Sequence, residues 1–154
     1  MRRYATFGEQ NVPATAGGGQ ADSTLLTLQS ATTIRPHVYF LAFGCSGTPA
    51  DQAFTIQLGR QTAAGTGTTA TLSALSTTDP ASLASGKYNH TVAPTYTASA
   101  ILMSIDVNQR ASFTWIEDPE RGIVLPASTD GIGIYFAVAT GGTPLCHVTT
   151  HHSE

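Results

Sequence analysis

Charge is the scarcest property of this 154-residue chain. Asp, Glu, Lys and Arg together make up 11% of it, less than half the usual ~25% of a soluble domain. The formal charge of −3 leaves no basic field for a nucleic-acid backbone or an anionic membrane surface, so neither is expected as a partner. No window approaches the ~18 consecutive apolar residues that a membrane-spanning helix requires. Arg2 and Arg3 are followed by no apolar run, so no secretory leader is expected. Cysteine occurs twice, as Cys45 and Cys146. Without an export signal, two ordinary buried thiols are the expectation, with pairing as the alternative if two strands bring them together. Helical periodicity is absent as well. Thr, Ser, Gly and Pro interrupt nearly every window in which an i, i+3, i+4 apolar pattern would have to run.

What is present is a 41% hydrophobic chain with a mean hydropathy of +0.01. That combination argues against disorder and for a single folded domain. The apolar residues come in short alternating or continuous runs separated by turn chemistry. Phe54, Ile56 and Leu58 share one face, as do Ile101, Met103, Ile105 and Val107, and again Ile132, Ile134, Phe136 and Val138. Further strands are read at Ser23–Leu28, His37–Phe43, Thr69–Leu75, Ala111–Ile116, Gly122–Leu125 and Leu145–Thr150. The turns include Gly47-Thr48-Pro49, Asp118-Pro119 and Gly141-Gly142-Thr143-Pro144. Ile101–Val107 and Ala111–Ile116 read as a hairpin across Asn108-Gln109-Arg110. The pattern predicts an all-β fold, a jelly-roll-like β-sandwich of about eight strands. Residues 23–154 form this sandwich, and residues 1–22, with Gly17, Gly18 and Gly19, read as an extended N-terminal arm. The Thr-rich stretch 68–75 is expected to be folded wall, and 76–86 a surface connection with one helical turn at Pro80–Ala84, capped by Asp79.

No catalytic constellation stands out. Gly65-Thr66-Gly67-Thr68-Thr69 lacks the lysine of a phosphate-binding loop and reads as a turn. Ser46 with His37 or His90 and Asp51 is a conceivable nucleophile set, but no G-x-S-x-G elbow supports it. His147 and His151 on one strand face stand about 13 Å apart, too far to share a metal ion without a bend. Glu117, Asp118 and Glu120 read as a charged hairpin tip, and Trp115 as core. No cofactor or metal is expected. Exposed contact residues are sought in the arm (Arg2, Arg3, Tyr4, Phe7) and in the loop KYNHTVAPTYT (Tyr88, Asn89, His90, Tyr96).

Three stretches, SGTPADQAFTIQLGRQTAAGTGTT, DPASLASGKYNHTVAPTYTASAILMSIDVNQRASFTW and GIVLPASTDGIGI, together resemble small virion structural proteins of tailed bacteriophages, the capsid decoration or auxiliary proteins. The resemblance runs from Pro36 to Val148. It implies a non-enzymatic β-sandwich subunit that self-associates, with a trimer favoured. It further implies attachment to the major capsid protein on the virion surface, after assembly in the host cytoplasm. A neck or tail component and a carbohydrate-binding sandwich are the alternative expectations. The resemblance supplies no catalytic residues.

Overall fold

The structure is a computed structural model describing residues 1–14, 16–17, 20–138 and 142–154. Gly18, Gly19 and Gly141 therefore lie outside the described residues. The strands are β1 (Arg3–Asn11), β2 (Thr24–Gln29), β3 (His37–Ser46), β4 (Ala53–Ala63), β5 (Thr66–Ala70), β6 (Leu72–Ala74), β7 (Ser85–Val92), β8 (Thr95–Asn108), β9 (Phe113–Ile116), β10 (Ile123–Val124), β11 (Gly131–Val138) and β12 (Leu145–Ser153). Among the described residues the only helical piece is a 3-10 turn at Ala21–Ser23.

Two antiparallel sheets form a sandwich. One runs β10-β3-β12-β1-β6, with β9 also on β3, and the other runs β5-β7-β2-β11-β4-β8. Both β9 and β10 pair with β3 and neither with the other, at Phe40–Phe43 and at Val38 and His37 respectively, so they act as one edge strand interrupted at 117–122. With β5–β7 treated as an insertion, eight framework strands remain. Counted in chain order, they lie 1-8-3-6 in the first sheet and 2-7-4-5 in the second. That is the order produced by rolling one long hairpin onto itself, the jelly roll.

Alternation explains which faces are buried. Phe54, Ile56 and Leu58 point inward beside Ile132, Ile134 and Phe136, and Val38, Leu41, Phe43, Cys146 and Val148 meet them from the other sheet. Phe43 packs edge-on against Phe54 and Phe136, with ring centroids 5.5 and 6.5 Å away, and joins the two layers. Phe113 and Trp115 are partly buried against this core, as the sequence predicts for Trp115.

Several expectations are corrected. Residues 3–11 are extended, but not as an arm. They form β1, hydrogen-bonded to β12 along its whole length and to β6 at Tyr4–Thr6. The stretch holding Tyr88 and Tyr96 is not one loop but β7, a tight turn and the start of β8. β8 and β9 form no hairpin: β8 pairs with β4 and β9 with β3, so Asn108–Arg110 carries the chain between sheets. Pro80–Ala84 is not helical. The Glu154 carboxylate instead accepts hydrogen bonds from the Ser82 hydroxyl (2.6 Å) and the Leu83 and Ala84 amides (3.1 and 3.0 Å). The cysteines form the Cys45–Cys146 disulfide, because β3 and β12 place them directly opposite each other. β12 is the middle strand of its sheet.

Candidate functional site

The structure divides the eight candidate contact residues. Tyr4 is fully buried: its hydroxyl donates to the Pro80 carbonyl at 3.0 Å, and its ring stacks on His152 at 5.3 Å. His90 is buried with Nε2 3.3 Å from the Thr27 hydroxyl, and burial holds its pKa below the usual histidine value. Tyr96 lies across the outer face of β4 and β11. Its ring is 4.5 Å from that of Tyr135, and its hydroxyl is 3.4 Å from that of Thr24. Gly133 makes room for it, since a Cβ there would come within 2.4 Å of the Tyr96 hydroxyl oxygen. Burial raises the Tyr96 pKa. Tyr4 and His90 are thus buried within the subunit rather than exposed as expected, and Tyr96 is partly buried. Arg2, Arg3 and Asn89 are exposed, Asn89 with φ +47°.

The remaining two, Phe7 and Tyr88, come together. Phe7 is 44% exposed. Its ring centroid lies 6.5 Å from that of Tyr88 and 5.7 Å from that of His147, on which it stacks. The two rings come from different sheets and meet where the chain crosses from β5 to β6. Pairing of β1 with β6 stops at Thr6–Leu72, and continuation would match Phe7 with Thr71. The edge opens there into a concavity of about 240 Å³, lined by Phe7 and Tyr88 and by the hydroxyl residues Thr69, Thr71, Ser73 and Thr149.

Next to it, on the outer face of the β1–β12–β3 sheet, Ser46 Oγ lies 3.0 Å from His147 Nε2, and His147 Nδ1 lies 3.5 Å from Glu9 Oε2. The disulfide sits directly beneath, one residue before Ser46 and one before His147. This is the connectivity of a nucleophile, a base and a carboxylate. However, His147 and Glu9 are each about one-third exposed, and Ser46 is an exposed strand end. Neither the Phe7–Tyr88 concavity nor a smaller one of about 170 Å³ beside Met1, His37 and Glu154 is lined by Ser46. Polar bonding of this kind ties three strands together, whereas acyl transfer also needs a walled site that excludes water and donors for the oxyanion. The set proposed from sequence does not assemble: Asp51 accepts from Asn108, and His37 Nδ1 faces the Glu120 carbonyl.

The outer face continues with Phe40 stacked on His151 at 4.4 Å, and with Ile116, which is 69% exposed. Among the described residues no group of His, Cys, Asp and Glu could hold a metal ion. Glu117, Asp118 and Glu120 bond locally, Glu117 Oε1 accepting from the Asp118 amide and Asp118 Oδ1 from the Glu120 amide. They form a charged excursion of the broken edge strand rather than a hairpin tip. The Gly65 turn (φ +66°) is closed by the Lys87 ammonium donating to the Gly65 carbonyl at 2.8 Å, an arrangement that offers no phosphate cradle. The aromatic meeting of Phe7 and Tyr88 was not readable from the sequence, because 81 positions separate the two residues. The one local signal was the period-two spacing of Thr69, Thr71 and Ser73. No family model matches the chain, and no curated protein matches it.

Proposed function

We propose that the protein is a virion structural subunit of a tailed bacteriophage, one that decorates or cements the capsid shell and works by association rather than catalysis. The observation that carries this reading is the outer face of the β1–β12–β3 sheet. Phe7, Phe40 and Ile116 are arrayed there with His147 and His151 on a hydrogen-bonded sheet surface whose charged side chains on β1 are Arg3 and Glu9. Such a face buries apolar area against a neighbouring subunit with little desolvation of charge. Jelly rolls are common hosts of viral shell domains, which supports the reading by analogy, since one architecture serves many functions.

The partner is the major capsid protein at the virion surface, joined after assembly in the host cytoplasm. Binding only to the assembled shell stabilises it by mass action. Self-association, with a trimer favoured, covers the long edge strand β8, whose Ile101 and Leu102 are 49% and 38% exposed.

Quantitative mass spectrometry of purified virions tests this. A copy number comparable to that of the major capsid protein is expected, and Ile116→Asp lowers occupancy while leaving the subunit folded. A handful of copies per particle would move the protein to the neck or tail. Its absence from particles would overturn the structural reading.

A further inference from the structure

The concavity at the β5–β6 crossing combines two features, a pair of aromatic rings and a row of hydroxyls. Phe7 and Tyr88 present two rings tilted 58° to each other, open to solvent on the Phe7 side. Facing them, the chain 69–73 runs extended, so that Thr69, Thr71 and Ser73 project to the concavity while Ala70 and Leu72 turn toward the core. The hydroxyls are therefore a consequence of strand geometry, spaced about 7 Å apart. Each can both donate and accept.

An aromatic platform rimmed by hydroxyls matches a molecule with one apolar face and a polar equator. A pyranose ring has that shape. Its axial C–H groups carry partial positive charge and pack on the electron-rich face of an aromatic ring, while its equatorial hydroxyls reach outward to donors and acceptors. No Asp, Glu, Lys or Arg lines the concavity. The nearest cation by sequence, Lys87, is committed to the Gly65 carbonyl, and Glu9 faces His147. An acidic sugar therefore finds no counter-charge. The volume of about 240 Å³ is below the ~300–1,000 Å³ of sites for drug-sized ligands and suits a single ring.

We propose that this concavity is a binding site for a neutral pyranose, with Phe7 and Tyr88 as the stacking surface and Thr69, Thr71 and Ser73 as hydrogen-bonding residues. The inference goes beyond the virion reading and does not depend on it, because the isolated subunit carries every residue involved. On a particle, many copies of a weak single-ring site would act together on a glycan-coated surface.

The test is a two-dimensional amide NMR titration of the whole, isotope-labelled chain with methyl β-D-glucopyranoside and methyl β-D-galactopyranoside. Sorbitol, which has the hydroxyls but no ring face, serves as the control. Saturable shifts confined to Phe7, Thr69–Ser73 and Tyr88 are expected with at least one glycoside, and none with sorbitol. Tyr88→Ala abolishes them. Thr71→Val, which keeps shape and removes one hydroxyl, weakens binding about fivefold, the effect of one neutral hydrogen bond. The rest of each variant's spectrum reports whether it is folded. Absence of saturable shifts at tens of millimolar glycoside, equal shifts with sorbitol, shifts centred elsewhere, or a folded Thr71→Val protein with unchanged affinity would each overturn the proposal.

Discussion

His152 and Glu154 lie two positions apart on one strand end, and their environments decide which protons they carry. The His152 side chain is fully buried, with Nε2 3.5 Å from the Glu154 carboxylate and 3.3 Å from the Ser82 hydroxyl, while Nδ1 is buried without a hydrogen-bond partner. A neutral ring protonated on Nε2 satisfies this arrangement. A second proton would sit on Nδ1 with no acceptor. Burial accordingly lowers the His152 pKa despite the opposing pull of Glu154, and burial lowers that of His90 too. Burial alone would raise the Glu154 pKa, but hydrogen bonds from Ser82, Ala84 and Leu83, together with His152, outweigh it and hold it below 4.5. All three folded pKa values are depressed, so the unfolded chain binds more protons on acidification and stability must fall. For the histidines the loss begins as the pH drops through the unfolded value of 6.5. For Glu154 it begins below 4.5. Urea midpoints taken between about pH 8 and pH 5 should decline before ordinary carboxylates titrate. A flat profile over that interval would contradict the neutral, buried state of these rings.

At the scale of elements, β1 carries the sharpest test of the fold. Gly8 faces the opposite sheet so closely that a Cβ would meet the Leu25 carbonyl oxygen at 2.5 Å and Leu26 Cβ at 2.8 Å. Gly8→Ala should therefore force β1 and β2 apart and cost about 1–3 kcal/mol, read as a lower urea midpoint. A loose arm would tolerate the change without effect. The same strand shows why some elements were legible and others were not. β4, β8 and β11 alternate Phe, Ile, Leu and Met with polar or small residues, and the inward faces agree with the sequence reading except at Ile101 and Val138, which are 49% and 52% exposed. In β1 the inward positions after Tyr4 are Thr6 and Gly8, while Ala5 and Phe7 point outward. The apolar signal there is inverted, so hydrophobic periodicity could not reveal it. β7 fails for a related reason: its buried positions are Gly86 and His90, and Asn89 at φ +47° interrupts the alternation. The corner between β8 and β9 could not be told from a hairpin, because both give two half-buried runs joined by a short polar turn. The Phe7–Tyr88 site inherits both difficulties, since it is built from the two strands whose patterns are weakest.

For the molecule as a whole, the order of strands is set by pairings far apart in sequence. β1 and β12 match residue for residue from Arg3–Ser153 to Asn11–Leu145, and the disulfide joins β3 to β12 across 101 positions. A bridge closing so long a loop restricts the unfolded chain more than the folded one, an effect of roughly 4–5 kcal/mol in the chain-entropy picture. The double substitution of Cys45 and Cys146 by Ala should lower the thermal midpoint, and reductant should lower that of the native protein but not of the variant. Equal midpoints for all four samples would show that the bridge is not formed in solution. On the proposed assembly in a reducing cytoplasm, the bond closes only after the particle leaves the cell.

The central placement of β12 also bears on how the chain is made. On the ribosome, β1 and β3 emerge well before β12, the strand that lies between them. In the second sheet, β2 and β4 likewise wait for β11. Neither layer can complete its ladder before β11 and β12 have been made, so Leu25–Leu28 and Val38–Phe43 lack part of their cover until then. A chain cut short before β11 lacks the central strand of both sheets and is an open substrate for chaperones and proteases.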